Sequence, residues 1–288
     1  MSKQYIITSD STCDLPQKVL SDYNLTILPL SYSISGVEYS GDNTLSIEEF
    51  YAKMRAGEMT KTSQLVPEYV EKTFEKIIND GFDILHLGFS SGLSGSYNNA
   101  RIAMDELKQK YPDSKIRVID TLCASMGEGL FLYKACELKK QGKTLDEVAD
   151  WCEENKLHLC HMFTVDDLMH LHRGGRVSKT SAIAGSILGI KPILHVDNEG
   201  HLIPIGKIRG RKQSLEALVN EMDKRIGPYK NDVIGISHGD CLEDAEYVKK
   251  LIEKKYGIKN FIINHVGPVI GSHSGPGTVA LFFMGEYR

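Results

Sequence analysis

Four segments of this 288-residue chain carry hydroxyl, imidazole or guanidinium groups in patterns that ordinary packing does not demand. The first is Thr62-Ser63-Gln64, shortly before Pro67, a residue favoured in the first turn of a helix. Hydroxyls and backbone N–H groups at a helix N-terminus suit an anion, and plain helix capping is the alternative. The second is Gly88-Phe-Ser-Ser-Gly-Leu-Ser-Gly-Ser-Tyr97, which follows an apolar run and precedes an amphipathic one. Glycines 88, 92 and 95 let the backbone turn sharply and aim N–H groups at a bound group. Ser90, Ser91, Ser94 and Ser96 add hydroxyls. A strand-to-helix turn needs one glycine and one cap, so the surplus points to binding. In an open parallel sheet this is a loop at the carboxyl end of a strand, where ligands gather.

The same loop permits covalent chemistry. Gly88-Phe-Ser-Ser-Gly92 fits the Gly-x-Ser-x-Gly nucleophile elbow of serine esterases. Ser90 would then need Asp166 or Asp197 as acid and His238, His265 or His273 as base. The glycines continuing to Gly95 suit an open cradle better than a tight elbow. The third segment, Val165–Arg176, ends in Arg173-Gly-Gly-Arg176. Guanidinium groups there suit bidentate recognition of carboxylate or phosphate, and a cationic helix end with a glycine cap is the equal alternative. The fourth, Gly267-Pro-Val-Ile-Gly-Ser-His-Ser-Gly-Pro-Gly277, reads as a constrained loop that holds His273 toward a ligand.

Other chemistries have little support. There is no Gly-x-x-x-x-Gly-Lys-Ser/Thr loop and no Gly-x-Gly-x-x-Gly before a helix, which disfavours nucleotide binding. His158, Cys160 and His161 lie in an alternating run that sends His161 to the opposite face from the other two. Together with the lack of a His-Glu-x-x-His motif, this disfavours a metal site. Cys13 follows a strand in Asp10–Pro16, where a turn is favoured over a reactive thiol. The formal charge of 34 − 38 = −4 and the absence of dense Lys/Arg runs argue against nucleic acid as a partner. No eighteen-residue apolar window exists, so no membrane span is expected. The first residues are too short an apolar stretch for a secretory signal, and no cysteine pair has metal or disulfide spacing. A cytoplasmic location with reduced thiols is expected.

The elements that would position these groups alternate between short apolar runs and amphipathic stretches, the pattern of an α/β protein with a mainly parallel sheet. Strands are expected at Tyr5–Ile7, Asp83–Phe89 and Lys115–Asp120. Helices are expected after Ser46-Ile-Glu-Glu49 and Thr144-Leu-Asp-Glu147, both capping boxes, and after Pro67. Further helices fall at Tyr97–Tyr111 and Gly127–Gln141. Beyond residue 157 the pattern becomes mixed, with a hairpin around Asp197-Asn-Glu-Gly200. The expected division is an N-terminal α/β domain over residues 1–160 and a C-terminal one with a mixed sheet over 161–288. A ligand site is expected between them.

Together these segments resemble the DegV family of bacterial fatty-acid-binding proteins. The resemblance rests on Ser9-Asp-Ser-Thr-Cys-Asp-Leu-Pro16, Thr62-Ser-Gln64, Ser90–Tyr97, Val118-Ile-Asp-Thr121, Asp167-Leu with Arg173-Gly-Gly-Arg176, Lys191-Pro-Ile-Leu194 and Gly267–Gly277, in order along the chain. It implies a two-domain fold holding one long-chain fatty acid such as palmitate, with no cofactor and no catalysis by this chain. The family's carboxylate contacts map onto Thr62 and Ser94, with His273 close by and Ser63, Ser91, Gly95 and Ser96 as secondary candidates. It further implies a partner fatty acid kinase, engaged through Arg173 or Arg176. Family members often have proline directly after the Thr-Ser-x segment, where this chain has Leu65-Val66-Pro67. Burying about fourteen methylenes at ~0.8 kcal/mol each is worth roughly 11 kcal/mol before association costs. The apolar run Ala182–Ile190 is a candidate tunnel wall.

Overall fold

The computed structural model describes residues 3–178 and 189–288. Of the candidate wall Ala182–Ile190, residues 182–188 lie outside the described residues. Strand β1 (Tyr5–Asp10), helix α1 (Gln17–Asp22) and strand β2 (Thr26–Leu28) form a β-α-β unit. With β6 (Asp83–Gly88) and β7 (Ile116–Asp120) they make a parallel sheet of order β2-β1-β6-β7. Every residue of β6 is buried, as expected for an inner parallel strand covered on both faces.

Between β2 and β6 lie β3 (Ser31–Ile34), β4 (Val37–Tyr39), helix α2 (Ile47–Arg55), β5 (Thr60–Ser63) and helix α3 (Pro67–Asn79). The three strands pair as a separate antiparallel sheet of order β4-β3-β5. Sequence reading missed this sheet because its strands hold three or four residues and β5 is Thr-Lys-Thr-Ser, with no apolar run. Thr62 is consequently a strand residue paired with Tyr32. The N-cap of α3 is Val66, which offers no side-chain cap. Thr62-Ser63-Gln64 therefore neither caps α3 nor sits at its N-terminus, contrary to both readings of that segment.

Both capping boxes form. Ser46 Oγ accepts from Glu49 N at 3.2 Å, and Glu49 returns the bond to Ser46 N at 3.2 Å. Thr144 and Glu147 repeat the arrangement at the start of α6 (Leu145–Asn155). Helices α4 (Ser96–Lys110) and α5 (Met126–Lys140) follow β6 and β7.

The second half is a six-stranded mixed sheet of order β10-β9-β8-β13-β11-β12. Its strands are β8 (Leu159–Thr164), β9 (Ile190–Val196), β10 (Leu202–Arg209), β11 (Ile234–His238), β12 (Phe261–His265) and β13 (Val279–Met284). Only β11 and β12 pair in parallel. The β9–β10 hairpin turns at Asp197–Gly200, where the turn residues predicted it. The associated helices are α7 (Leu168–Arg173), α8 (Arg211–Arg225), α9 (Leu242–Tyr256) and α10 (Pro268–Ser274). The last of these corrects the reading of Gly267–Gly277 as a loop. Pro268 occupies the first helical position, where its missing N–H costs nothing, and Gly275 ends the helix at positive φ. Helix α5 is buried through its first two turns and packs between β6 on one side and β8, β11 and β13 on the other. One apolar cluster thus runs continuously from Ile7 and Leu87 through Phe131 to Phe282. No helix among the described residues is long and apolar enough to cross a membrane.

Candidate ligand-binding site

A cavity of about 450 Å³ lies between the two main sheets. Leu30, Phe89, Leu93, Phe163, Val269 and Phe282 are among its apolar walls. These residues come from five separate stretches of chain, so nothing in the sequence could have assembled them.

Thr62, Ser94 and His273 meet on this cavity. Thr62 sits near the end of β5, and α10 packs against that strand. Thr62 Oγ1 lies 2.8 Å from His273 Nε2. The other ring nitrogen, Nδ1, is buried without a hydrogen-bond partner among the described residues. Gly174 packs against that edge of the ring: a Cβ there would fall 2.0 Å from Nδ1, so any larger residue would displace the imidazole. Burial, and secondarily the Arg176 charge, lower the His273 pKa to about 4. The ring is therefore neutral at pH 7.

Ser94 closes the same end from the loop after β6. Its Oγ is 2.9 Å from Ser96 Oγ and accepts from Ser96 N at 3.2 Å. Ser96, itself fully buried, accepts from Leu65 N, which ties the loop to the segment after β5. Among the secondary candidates, Ser63 and Gly95 line the cavity. Ser91 is exposed and its N–H is spent on Asp120. Ser96 supports Ser94 from behind. Ser274, which sequence reading passed over, lines the cavity with a buried Oγ that has no partner among the described residues.

The two arginines occupy different surroundings. Arg176 is half-buried and lines the cavity. It donates to Leu93 O at 2.9 and 3.2 Å and to Gly174 O, binding α7 to the serine loop. Arg173 is exposed, with Nη2 3.0 Å from His170 Nδ1. Thr62, Arg176 and His273 also border a second recess of about 590 Å³, polar in character, whose rim carries Lys61, His170 and Arg173.

The esterase reading does not survive the geometry. Ser90 is buried and its Oγ donates to Gly200 O at 2.9 Å in the β9–β10 turn. That turn sits directly on the serine loop, since a Cβ on Gly92 would fall 2.7 Å from Glu199 O. Among the described residues no imidazole bonds to Ser90. Asp166 pairs with Lys191, and Asp197 accepts the backbone N–H groups of Glu199 and His201. The ligand atoms of Asp197, Glu199 and His201 lie within 4.8 Å of one another on this exposed turn, but turn geometry already accounts for them. Cys13 is buried, and desolvation pushes its thiol well up, away from reactivity.

Buried acids support the loop from below. Asp10 accepts from Phe89 N at 2.9 Å, and Glu128 accepts from Ser9 and Thr12 at 3.0 and 2.8 Å. Burial raises the Asp10 pKa to about 7 and pushes that of Glu128 well above the usual carboxylate range.

Comparison with known proteins follows the same outline. A model of the DegV family, described as uncharacterised, matches residues 4–286. The DegV domain-containing protein CPE0026 of Clostridium perfringens is 46% identical over 288 residues, covering 99% of each chain. The Thermotoga maritima protein TM841, whose structure reveals a fatty acid binding function, is 31% identical with a TM-score of 0.85, covering 98% of this chain and 99% of its own. A stearic acid-binding protein from Eubacterium ventriosum is 25% identical with a TM-score of 0.88, covering 99% of each chain. Similarity that runs end to end in sequence and in backbone leaves one assignment: the chain belongs to the DegV family.

Proposed function

We propose that this protein binds one long-chain fatty acid, such as palmitate, and presents its carboxylate to a partner fatty acid kinase. One observation carries this reading: an apolar cavity closed at one end by Thr62, Ser94 and His273. A carboxylate leaving water needs several donors. With His273 protonated on Nε2, the ring donates to Thr62 Oγ1 and frees the Thr62 O–H for the ligand. Ser94 and the unpartnered Ser274 hydroxyl supply further donors, and the Arg176 guanidinium contributes positive charge nearby. The acyl tail takes the apolar walls and supplies most of the affinity.

Presentation to a kinase is supported by the polar recess that shares Thr62 and His273 with the cavity and is lined by Lys61 and Arg173. Arg173 is the arginine free to meet a partner, whereas Arg176 holds Leu93 O inside the protein. Arg173→Ala is expected to slow phosphorylation by the kinase while leaving lipid affinity within about twofold. Arg176→Ala is expected to weaken both. Equal loss of lipid affinity in the two variants would move Arg173 to the ligand.

Denaturing mass spectrometry of the purified protein tests lipid binding itself. Stoichiometric recovery of a C14–C20 acid is expected. An empty protein that also refuses labelled palmitate would overturn the proposal.

A further inference from the structure

The cavity contains a second polar group that the carboxylate site does not use. Ser125 and Ser237 line it, 5% and 0% exposed, on the N-cap of α5 and on β11. Ser125 adopts φ 55° and ψ −145°, a conformation that side chains other than glycine rarely accept. It places Ser125 Oγ 2.5 Å from Asp14 Oδ2 and 2.9 Å from Ser237 Oγ.

The direction of these bonds decides what is left over. When Asp14 is ionised, as at pH 8, it only accepts, so Ser125 donates to Asp14 and Ser237 donates to Ser125. Ser237 Oγ then has acceptor capacity with no other hydrogen-bond partner among the described residues. His161 shares this wall, but Ala124 N and Leu159 O occupy its two ring nitrogens. The serine pair is also remote from the head group. Asp14 Oδ1 accepts from Gly267 N at the start of α10, whereas His273 lies in its last turn. Six residues at 1.5 Å each separate these points by roughly 9 Å along the helix.

We propose that Ser237, backed by Ser125 and Asp14, receives a hydroxyl group carried midway along the acyl chain, so that the cavity accepts hydroxylated fatty acids. This inference rests on the lipid-binding reading above. A chain hydroxyl donates to Ser237, whereas a keto group at the same carbon is an acceptor and meets another acceptor. A plain methylene chain leaves the serine pair facing hydrocarbon.

Competition binding at pH 8 with stearic, 10-hydroxystearic and 10-ketostearic acid tests it. The wild-type protein is expected to bind the hydroxy acid about two- to tenfold more tightly than the keto acid, the worth of one net hydrogen bond. Equal affinity, or preference for the keto acid, would overturn the inference without touching stearate binding. In Ser237→Ala the preference is expected to vanish, and its persistence would place the hydroxyl elsewhere. The wild-type comparison stands even if that variant does not fold. Failure to bind any of the three acids would instead remove the lipid-binding reading.

Discussion

At the scale of single residues, the proposed head-group end is a short relay of neutral donors. His273 is held uncharged by burial and polarises Thr62, while Ser94 is fixed by Ser96. Neutral donors can offset the desolvation of a carboxylate only in number. Thr62→Val and Ser94→Ala are therefore each expected to weaken palmitate binding by about 1.5–3 kcal/mol, the worth of a hydrogen bond to a charged group. Isothermal titration would measure this, with unchanged thermal unfolding showing that the fold is intact. Unaltered affinity in both variants would remove these residues from the head-group site.

Among the elements, the start of α10 and the start of α5 are joined through one carboxyl group. Asp14 accepts from Gly267 N at 2.9 Å and from Ser125 Oγ at 2.5 Å. Burial nevertheless dominates and raises its pKa to about 7. A carboxyl raised in the folded state contributes stability that is fully present below about pH 4 and is lost as pH rises through 7. The stability of wild type relative to Asp14→Asn should therefore fall between pH 5 and pH 8, by about 2 kcal/mol. Urea midpoints of both proteins at the two pH values would show it, and a constant difference would contradict it. The capping boxes belong to the same scale: Ser46→Ala and Thr144→Ala should each cost about 1 kcal/mol of stability in urea unfolding and leave lipid affinity alone.

For the whole molecule, segments from both halves converge on a guanidinium that has no carboxylate partner among the described residues. Arg288 is buried and donates to the carbonyls of Leu122, Asp197, Lys156 and Leu159 at 2.7–3.1 Å. Those carbonyls belong to the loop before α5, the β9–β10 turn and the approach to and start of β8, so one side chain ties together three segments distant in sequence. Arg288→Ala removes the donor from Leu159 O, which is buried, and from three part-buried carbonyls, and should destabilise the protein by on the order of 3 kcal/mol. A loss under 1 kcal/mol in urea unfolding would show that water replaces the guanidinium.

The sequence alone determined whatever depends on neighbours in the chain. Hydrophobic period marked β1, β6, β7 and the amphipathic helices, reciprocal capping marked Ser46 and Thr144, and turn residues marked Asp197–Gly200. The surplus of serine and glycine after β6 likewise marked a loop that lines the cavity. It could not reveal the small sheet that carries Thr62, whose strands are too short and polar for a period to emerge, nor α10, whose glycines and prolines mimic a loop. Tertiary structure alone decided that Ser90 is tied to a backbone carbonyl, that Arg176 faces inward while Arg173 faces out, and that Ser125 and Ser237 share one wall. Each of these depends on contacts between residues tens to hundreds of positions apart, and such contacts exist only once the sheets have packed around α5.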